Sequence, residues 1–188
     1  MASPGVSDDL SGPEVWVLKW VDYSSKYGLG YLLSNGATGV FFNDATKITL
    51  EPLCSRFCYI ERKSVDGKTE NKQDTPYFWN LQDYPNELQK KVTLLQHFRG
   101  YLDGSAEGEI GVCTSNSPKI TIVPKVKRTL TKEQRREGLL IYVKKWMKTK
   151  HAILFRLSNR VIQVRFLDKT EILLDSKKNI VTYVNKQA

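Results

Sequence analysis

The 188-residue chain reads as an α+β fold that is mainly β, on three observations. Apolar and polar residues alternate with period two through most of residues 15–62 and 139–184, the signature of half-buried strands. Only one stretch, 86–103, has a clear helical spacing of apolar residues. A block of residues also recurs at a fixed distance, so the chain holds two copies of one unit.

The elements follow in order. Trp16, Leu18 and Trp20 alternate with Val15, Val17 and Lys19 as a first strand, with Trp16 expected in the core. Gly28–Leu33 is a second strand, and Ser34-Asn35-Gly36 a turn in which Asn-Gly supplies positive φ for a tight hairpin. Thr38–Phe42 and Thr46–Leu50 are split by Asn43-Asp44, and Phe57–Arg62 and Tyr77–Trp79 complete the sheet. The polar stretch Lys63–Thr75 between them reads as a loop. In the helix, Leu88, Val92, Leu95, Phe98 and Leu102 form one apolar stripe, with Asn86 placed to cap its start and Gly104 to end it. Asp103–Pro124 reads as linker with one β-like run, Lys119–Val123; Thr131 is placed to cap a short helix through Gly138. Leu139–Lys150, Ala152–Leu157, Val161–Leu167, Glu171–Leu174 and Asn179–Val184 are the later strands.

The repeat has an offset of 124 residues. Ser34, Asn35, Val40, Phe42, Asp44, Thr46, Ile48 and Leu50 recur as Ser158, Asn159, Val164, Phe166, Asp168, Thr170, Ile172 and Leu174. Tyr59 and Tyr183 keep the same offset, and Lys19-Trp20 is echoed upstream by Lys145-Trp146. The organisation is therefore a flexible N-terminal segment at 1–13, a first unit at 14–103, a linker at 104–136 and a second unit at 137–188.

Composition narrows the function. No apolar run approaches the roughly 18 residues of a membrane span, and Met1-Ala2-Ser3-Pro4-Gly5 lacks a signal-peptide core. Cys54, Cys58 and Cys113 are odd in number without a Cys-x-x-Cys pair, as expected of packing residues in a reducing, intracellular setting with no disulfide, zinc or other cofactor. The net charge of +9 is uneven: residues 1–103 hold 11 Lys/Arg against 13 Asp/Glu, and residues 104–188 hold 18 against 7. A basic second half calls for an anionic partner, such as a phosphopeptide, an acidic segment or nucleic acid. For nucleic acid the only further support is Tyr142 and Trp146, with no recognised motif. His97 and His151 have no paired nucleophile or carboxylate at a telling spacing, and no Gly-rich phosphate loop or kinase signature is present. No residue is a catalytic candidate.

The stretches Lys19-Trp20-Val21-Asp22-Tyr23, Lys26-Tyr27-Gly28-Leu29-Gly30-Tyr31 and Gly39-Val40-Phe41-Phe42-Asn43-Asp44 resemble the first polo box of a polo-like serine/threonine kinase. The repeat then resembles the second. The resemblance implies two polo boxes, each an antiparallel sheet with a packed C-terminal helix, with ligand in the groove between them. The helix of the second box is absent from this chain, which stops at Ala188. It implies a module that recognises phosphoserine or phosphothreonine peptides and targets a kinase to mitotic structures: centrosome or basal body, kinetochore and spindle, in cytoplasm and nucleus. Implied partners are phosphorylated or acidic protein segments, a kinase domain in cis and a second copy of the chain. Any catalysis would belong to a longer parent.

Site residues carry over position by position. Trp20, with Val21 and Asp22 beside it, matches the first-strand motif that receives the residue before the phosphorylated one. The family grips phosphate with a His and a Lys two residues apart in the second box. Those positions fall here on Lys169 and Glu171, with a one-residue deletion nearby. Glu171 would repel a phosphate of about −1.5 to −2 charge. Tyr101 matches a family Tyr beside the groove, while Ser105-Ala106-Glu107 replaces an apolar family run. Lys148 matches a groove-lining Arg, and Arg165 is a second compensating cation. The alternative is a phosphate-independent peptide-binding or self-associating module, since the pincer is altered to Lys169 and Glu171.

Overall fold

The computed structural model describes residues 15–52, 56–64, 72–103 and 141–185. The chain divides into two compact units, Val17–Tyr142 and Val143–Ala188 together with Met1–Trp16.

The first unit is a six-stranded antiparallel meander in sequence order: β1 (Val17–Tyr23), β2 (Gly28–Leu33), β3 (Thr38–Phe42), β4 (Lys47–Leu50), β5 (Arg56–Ser64) and β6 (Lys72–Asn80). A 3-10 turn, Asn86–Leu88, leads into α1 (Gln89–Leu102). The second unit is a five-stranded meander: β7 (Val143–Lys148), β8 (Ala152–Leu157), β9 (Val161–Phe166), β10 (Glu171–Asp175) and β11 (Ile180–Val184). No described helix belongs to it.

The alternation-based strands are present, with physical differences at four places. A bulge between Val17 and Lys19 shifts the register of β1 on β2, so Val15 and Val17 are the buried residues, Trp16 is only half-buried and Leu18 is exposed. The bulge recurs in β7 between Val143 and Lys145. The described residues of Lys63–Thr75, 63–64 and 72–75, are strand rather than loop: β5 runs to Ser64 and β6 starts at Lys72. That hairpin end is largely exposed, so burial leaves no apolar alternation there. Asn86 does not cap the helix; Pro85 precedes the 3-10 turn, its carbonyl accepting from Leu88 N at 2.9 Å. The Gly104, Lys119–Val123 and Thr131–Gly138 readings lie outside the described residues.

The turn at Ser34-Asn35-Gly36 is also built differently. Only Gly36 has positive φ (87°), and the loop is a type I turn closed by one left-handed residue. Leu33 O accepts from Gly36 N, and Leu33 N donates to Ala37 O, at 2.9 and 2.8 Å. The same device recurs at three other hairpins, with Ala45, Arg160 and Lys169 left-handed (φ 66°, 67° and 71°). Before each left-handed residue stands an Asn or Asp whose Oδ1 accepts the backbone N–H two residues on: Asn35 from Ala37, Asp44 from Thr46, Asn159 from Val161 and Asp168 from Thr170. The polar identities of the repeat are therefore turn-builders.

Its apolar identities share one sheet face. In the first unit Val40, Phe42, Ile48, Leu50, Phe57 and Tyr59 pack with Leu88, Val92, Leu95 and Phe98 into one core. The whole expected stripe, including Leu102, is buried. Each such side chain contributes about 1.5–3 kcal/mol of burial. Gly30 admits the ring of Phe98, because a Cβ there would lie 2.3 Å from Phe98 Cδ1. The helix ends under two cations: Lys19 Nζ donates to Leu102 O at 3.1 Å, and Arg99 stands in the last turn, both suited to the negative end of the helix dipole.

One polar clamp pins α1 to the sheet. Lys91 Nζ donates to Asp44 Oδ2 (2.7 Å), Thr46 Oγ1 (2.6 Å) and Tyr59 OH (3.3 Å), and lies over the Phe42 and Tyr59 rings. Burial acts to raise the Asp44 carboxyl, but hydrogen bonds from Lys91 and Thr46 outweigh it and hold the group below its ordinary range. A depressed carboxylate contributes stability above its unfolded pKa and loses it as pH falls through the folded one. The wild type should therefore lose stability more steeply than Asp44→Asn below about pH 4, read as melting temperature against pH. Asp44 is half-exposed, so the difference should stay within about 1 kcal/mol. Parallel pH curves would contradict it.

Candidate functional site

Four candidate residues lie in the first unit. Trp20 is half-buried in β1 and faces Tyr31 across the ladder. Val21 points to the opposite sheet face, where it packs against the α1 core. Asp22 Oδ1 accepts from Ser24 N (3.1 Å) and Ser24 Oγ (2.6 Å), shaping the turn into β2. Tyr101 is half-buried in the last turn of α1.

The other four lie in the second unit, where the ladder arranges three of them. Lys148 pairs with Ile153, Ile153 with Arg165, and Arg165 with Glu171. Lys148, Arg165 and Glu171 thus stand in one rank across β7–β10, at strand spacings of about 4.8 Å. Lys169 is exposed on the turn between Arg165 and Glu171.

Glu171 is not a bare carboxylate. Arg165 Nε lies 3.2 Å from its Oε1, and Gln163 Nε2, fully buried, donates to its Oε2 at 3.3 Å. Burial pushes the Glu171 carboxyl up, while Arg165 and Gln163 pull it back. The pair is largely buried, with side chains 23% and 15% exposed. Removing one partner of a buried pair strands the other charge. Glu171→Lys should therefore destabilise the second unit by about 2–3 kcal/mol, below the full buried-pair cost because some exposure remains. The urea midpoint checks this; an unchanged midpoint would contradict it.

In the first unit the position 124 residues earlier is Lys47, and it too is buried, at 1% exposure. Its ammonium meets Asp74 Oδ1 at 3.1 Å, Tyr142 OH donates to Asp74 Oδ2 at 3.1 Å, and burial beside Asp74 pushes the Tyr142 phenol up. Sequence reasoning missed this clamp and missed Gln163. The repeat offset linking Lys47 to Glu171 was the available signal. Cys58 is a buried free thiol pushed up to about 12, chiefly by desolvation. Among the described residues no group of His, Cys, Asp and Glu could hold a metal ion, and no helix is long and apolar enough to cross a membrane.

Two antiparallel meanders, related by a repeat and one bearing a helix across its face, define a duplicated sheet module. The family model described as the POLO box duplicated region matches residues 25–92 and 149–188, and the chain belongs to the polo-box family. It is 51% identical over 178 residues to the probable serine/threonine-protein kinase CCRP1 of Zea mays, covering 95% of this chain and 25% of that protein. It is 32% identical over 181 residues to the serine/threonine-protein kinase PLK1 of Xenopus laevis, covering 96% and 26%. The chain thus spans about a quarter of the length of these relatives, and what it matches in them is polo-box sequence, not a kinase domain. In fold it is similar to the budding yeast Cdc5 polo-box domain solved with an Spc72 phosphopeptide, with a TM-score of 0.66 at 22% identity, covering 95% of this chain and 58% of that one. The same domain solved with the Dbf4 polo-interacting region gives 0.64 at 22% identity, covering 93% and 57%.

Proposed function

We propose that this chain is a protein-binding module that recognises phosphoserine- or phosphothreonine-containing segments and, within a longer serine/threonine kinase, directs that kinase to mitotic structures in cytoplasm and nucleus. The observation that carries the reading is the rank Lys148–Arg165–Glu171 with Lys169 on the adjoining turn. Two of its cations stand on a rigid sheet, and hydrogen bonds from cations to phosphate are the strong ones. Trp20 is the residue offered to the neighbour of the phosphorylated side chain. Support also comes from family membership and from the phosphopeptide complex of the Cdc5 domain.

The pairing of Arg165 with Glu171 favours a second reading, in which the guanidinium is already satisfied and peptides bind without phosphate. Fluorescence polarisation with a Ser-phosphoThr peptide and its unphosphorylated twin separates the two. The first reading expects the phosphopeptide to bind at least about tenfold tighter, 1.4 kcal/mol. Equal binding of the twins establishes the second, and no binding of either rejects both.

A further inference from the structure

One corner of the second unit adjoins the Lys148–Arg165–Glu171 rank and is built from two turns bonded to each other. Leu167 N donates to His151 O at 3.0 Å, one step past the Ala152–Phe166 pair. The β7–β8 turn is therefore fixed against the β9–β10 turn that carries Lys169. Each turn is also braced from within. Thr149 Oγ1 accepts from His151 N at 3.2 Å and from Ala152 N at 3.1 Å. Asp168 Oδ1 accepts from Thr170 N and Thr170 Oγ1.

Side chains alternate between faces along a ladder. His151 and Leu167 thus continue the face of Ile153 and Arg165, two residues and about 7 Å further on. Lys150, His151 and Lys169 are all exposed, and none of them forms an ion pair among the described residues.

Charge accounting gives this corner a role. The rank and its turn hold three cations, Lys148, Arg165 and Lys169, against two carboxylates, Glu171 and Asp168. Arg165 is already paired with Glu171 at 3.2 Å. A phosphate brings about −1.5 to −2, more than that balance offsets. Lys150 and His151 stand beside it and bring donors without a further carboxylate. An imidazole N–H donates to a phosphate oxygen, from a backbone position that both turns hold in place.

We infer that His151 is a phosphate-binding residue, its ring donating from the β7–β8 turn while Lys169 donates from the β9–β10 turn and Lys150 adds charge beside them. This rests on the phosphate reading above. His97, the only other histidine of the chain, is exposed on α1 in the first unit and serves as an internal control.

The test uses the full chain with the Ser-phosphoThr peptide and its unphosphorylated twin. In 1H–15N spectra of the imidazoles, the phosphopeptide should shift the ring signals of His151 and leave those of His97 in place; the twin should move neither. By fluorescence polarisation, His151→Ala should weaken phosphopeptide binding about fivefold, the scale of an exposed charged contact. Affinity for the twin and the melting temperature should not change, because the bond between the turns uses the His151 carbonyl and not the ring. His151→Arg should bring phosphopeptide affinity back to within about twofold of wild type, since a guanidinium also donates to phosphate. Suppose the wild type discriminates the twins while the His151 signals stay in place, or while His151→Ala discriminates them equally well. Either result would overturn the inference and leave the phosphate reading standing. Equal binding of the twins by the wild type would overturn both.

Discussion

Asp74→Ala should destabilise the first box by about 3–5 kcal/mol, the cost of leaving a buried charge without its partner. Lys47 is almost completely enclosed, between strands whose side chains are buried on both faces of the sheet. Its ammonium has Asp74 Oδ1 at 3.1 Å and a weaker contact with Ala45 O at 3.4 Å. Removing the carboxylate also takes the acceptor from Tyr142. Lys47→Met should cost less, because Asp74 is nearer solvent, with a side chain 12% exposed, and the new side chain is apolar. The double variant Lys47→Met/Asp74→Leu should recover most of the loss, since apolar replacement of a buried pair is often near neutral. Urea denaturation of the three variants provides the comparison. A loss under about 1 kcal/mol for Asp74→Ala, the scale of an exposed pair, would show the clamp to be solvated.

The second large effect lies at the helix–sheet contact. Gly30→Ala drives a methyl group into a ring that is 2% exposed and hemmed in by the core, so overpacking should cost about 2–3 kcal/mol. Phe98→Ala opens a cavity on the same spot and should cost about 3–5 kcal/mol. The two changes are complementary in volume. The double variant should therefore be more stable than additivity predicts by at least about 1 kcal/mol. Strict additivity would mean that the ring and the glycine do not touch.

Much of this architecture was legible because the residues that build it are those the repeat preserves. Asp44 and Asp168 cap the same turn, and Val40 and Val164 hold the same place in register. The helix stripe from Leu88 to Leu102 could be read because all its members are buried on one face. The β5–β6 hairpin was legible only near its middle. Its far end is polar and exposed, and Pro76 sits in β6, where it is tolerated because β6 is an edge strand. Asp74 falls in that stretch, so its link to Lys47 could not be read. The Arg165–Glu171 pair was readable in principle: both residues flank the turn symmetrically, and a hairpin must set them opposite each other. Reading Glu171 alone, against a family pattern, hid the partner that neutralises it.

The most direct test of the phosphate-reading claim is the affinity ratio for the phosphorylated and unphosphorylated twins in Arg165→Gln/Lys169→Ala. The account predicts that the ratio falls from at least about tenfold to under about threefold, while affinity for the unphosphorylated peptide is unchanged. A ratio that survives both substitutions would contradict it, and would place phosphate recognition away from the β9–β10 hairpin.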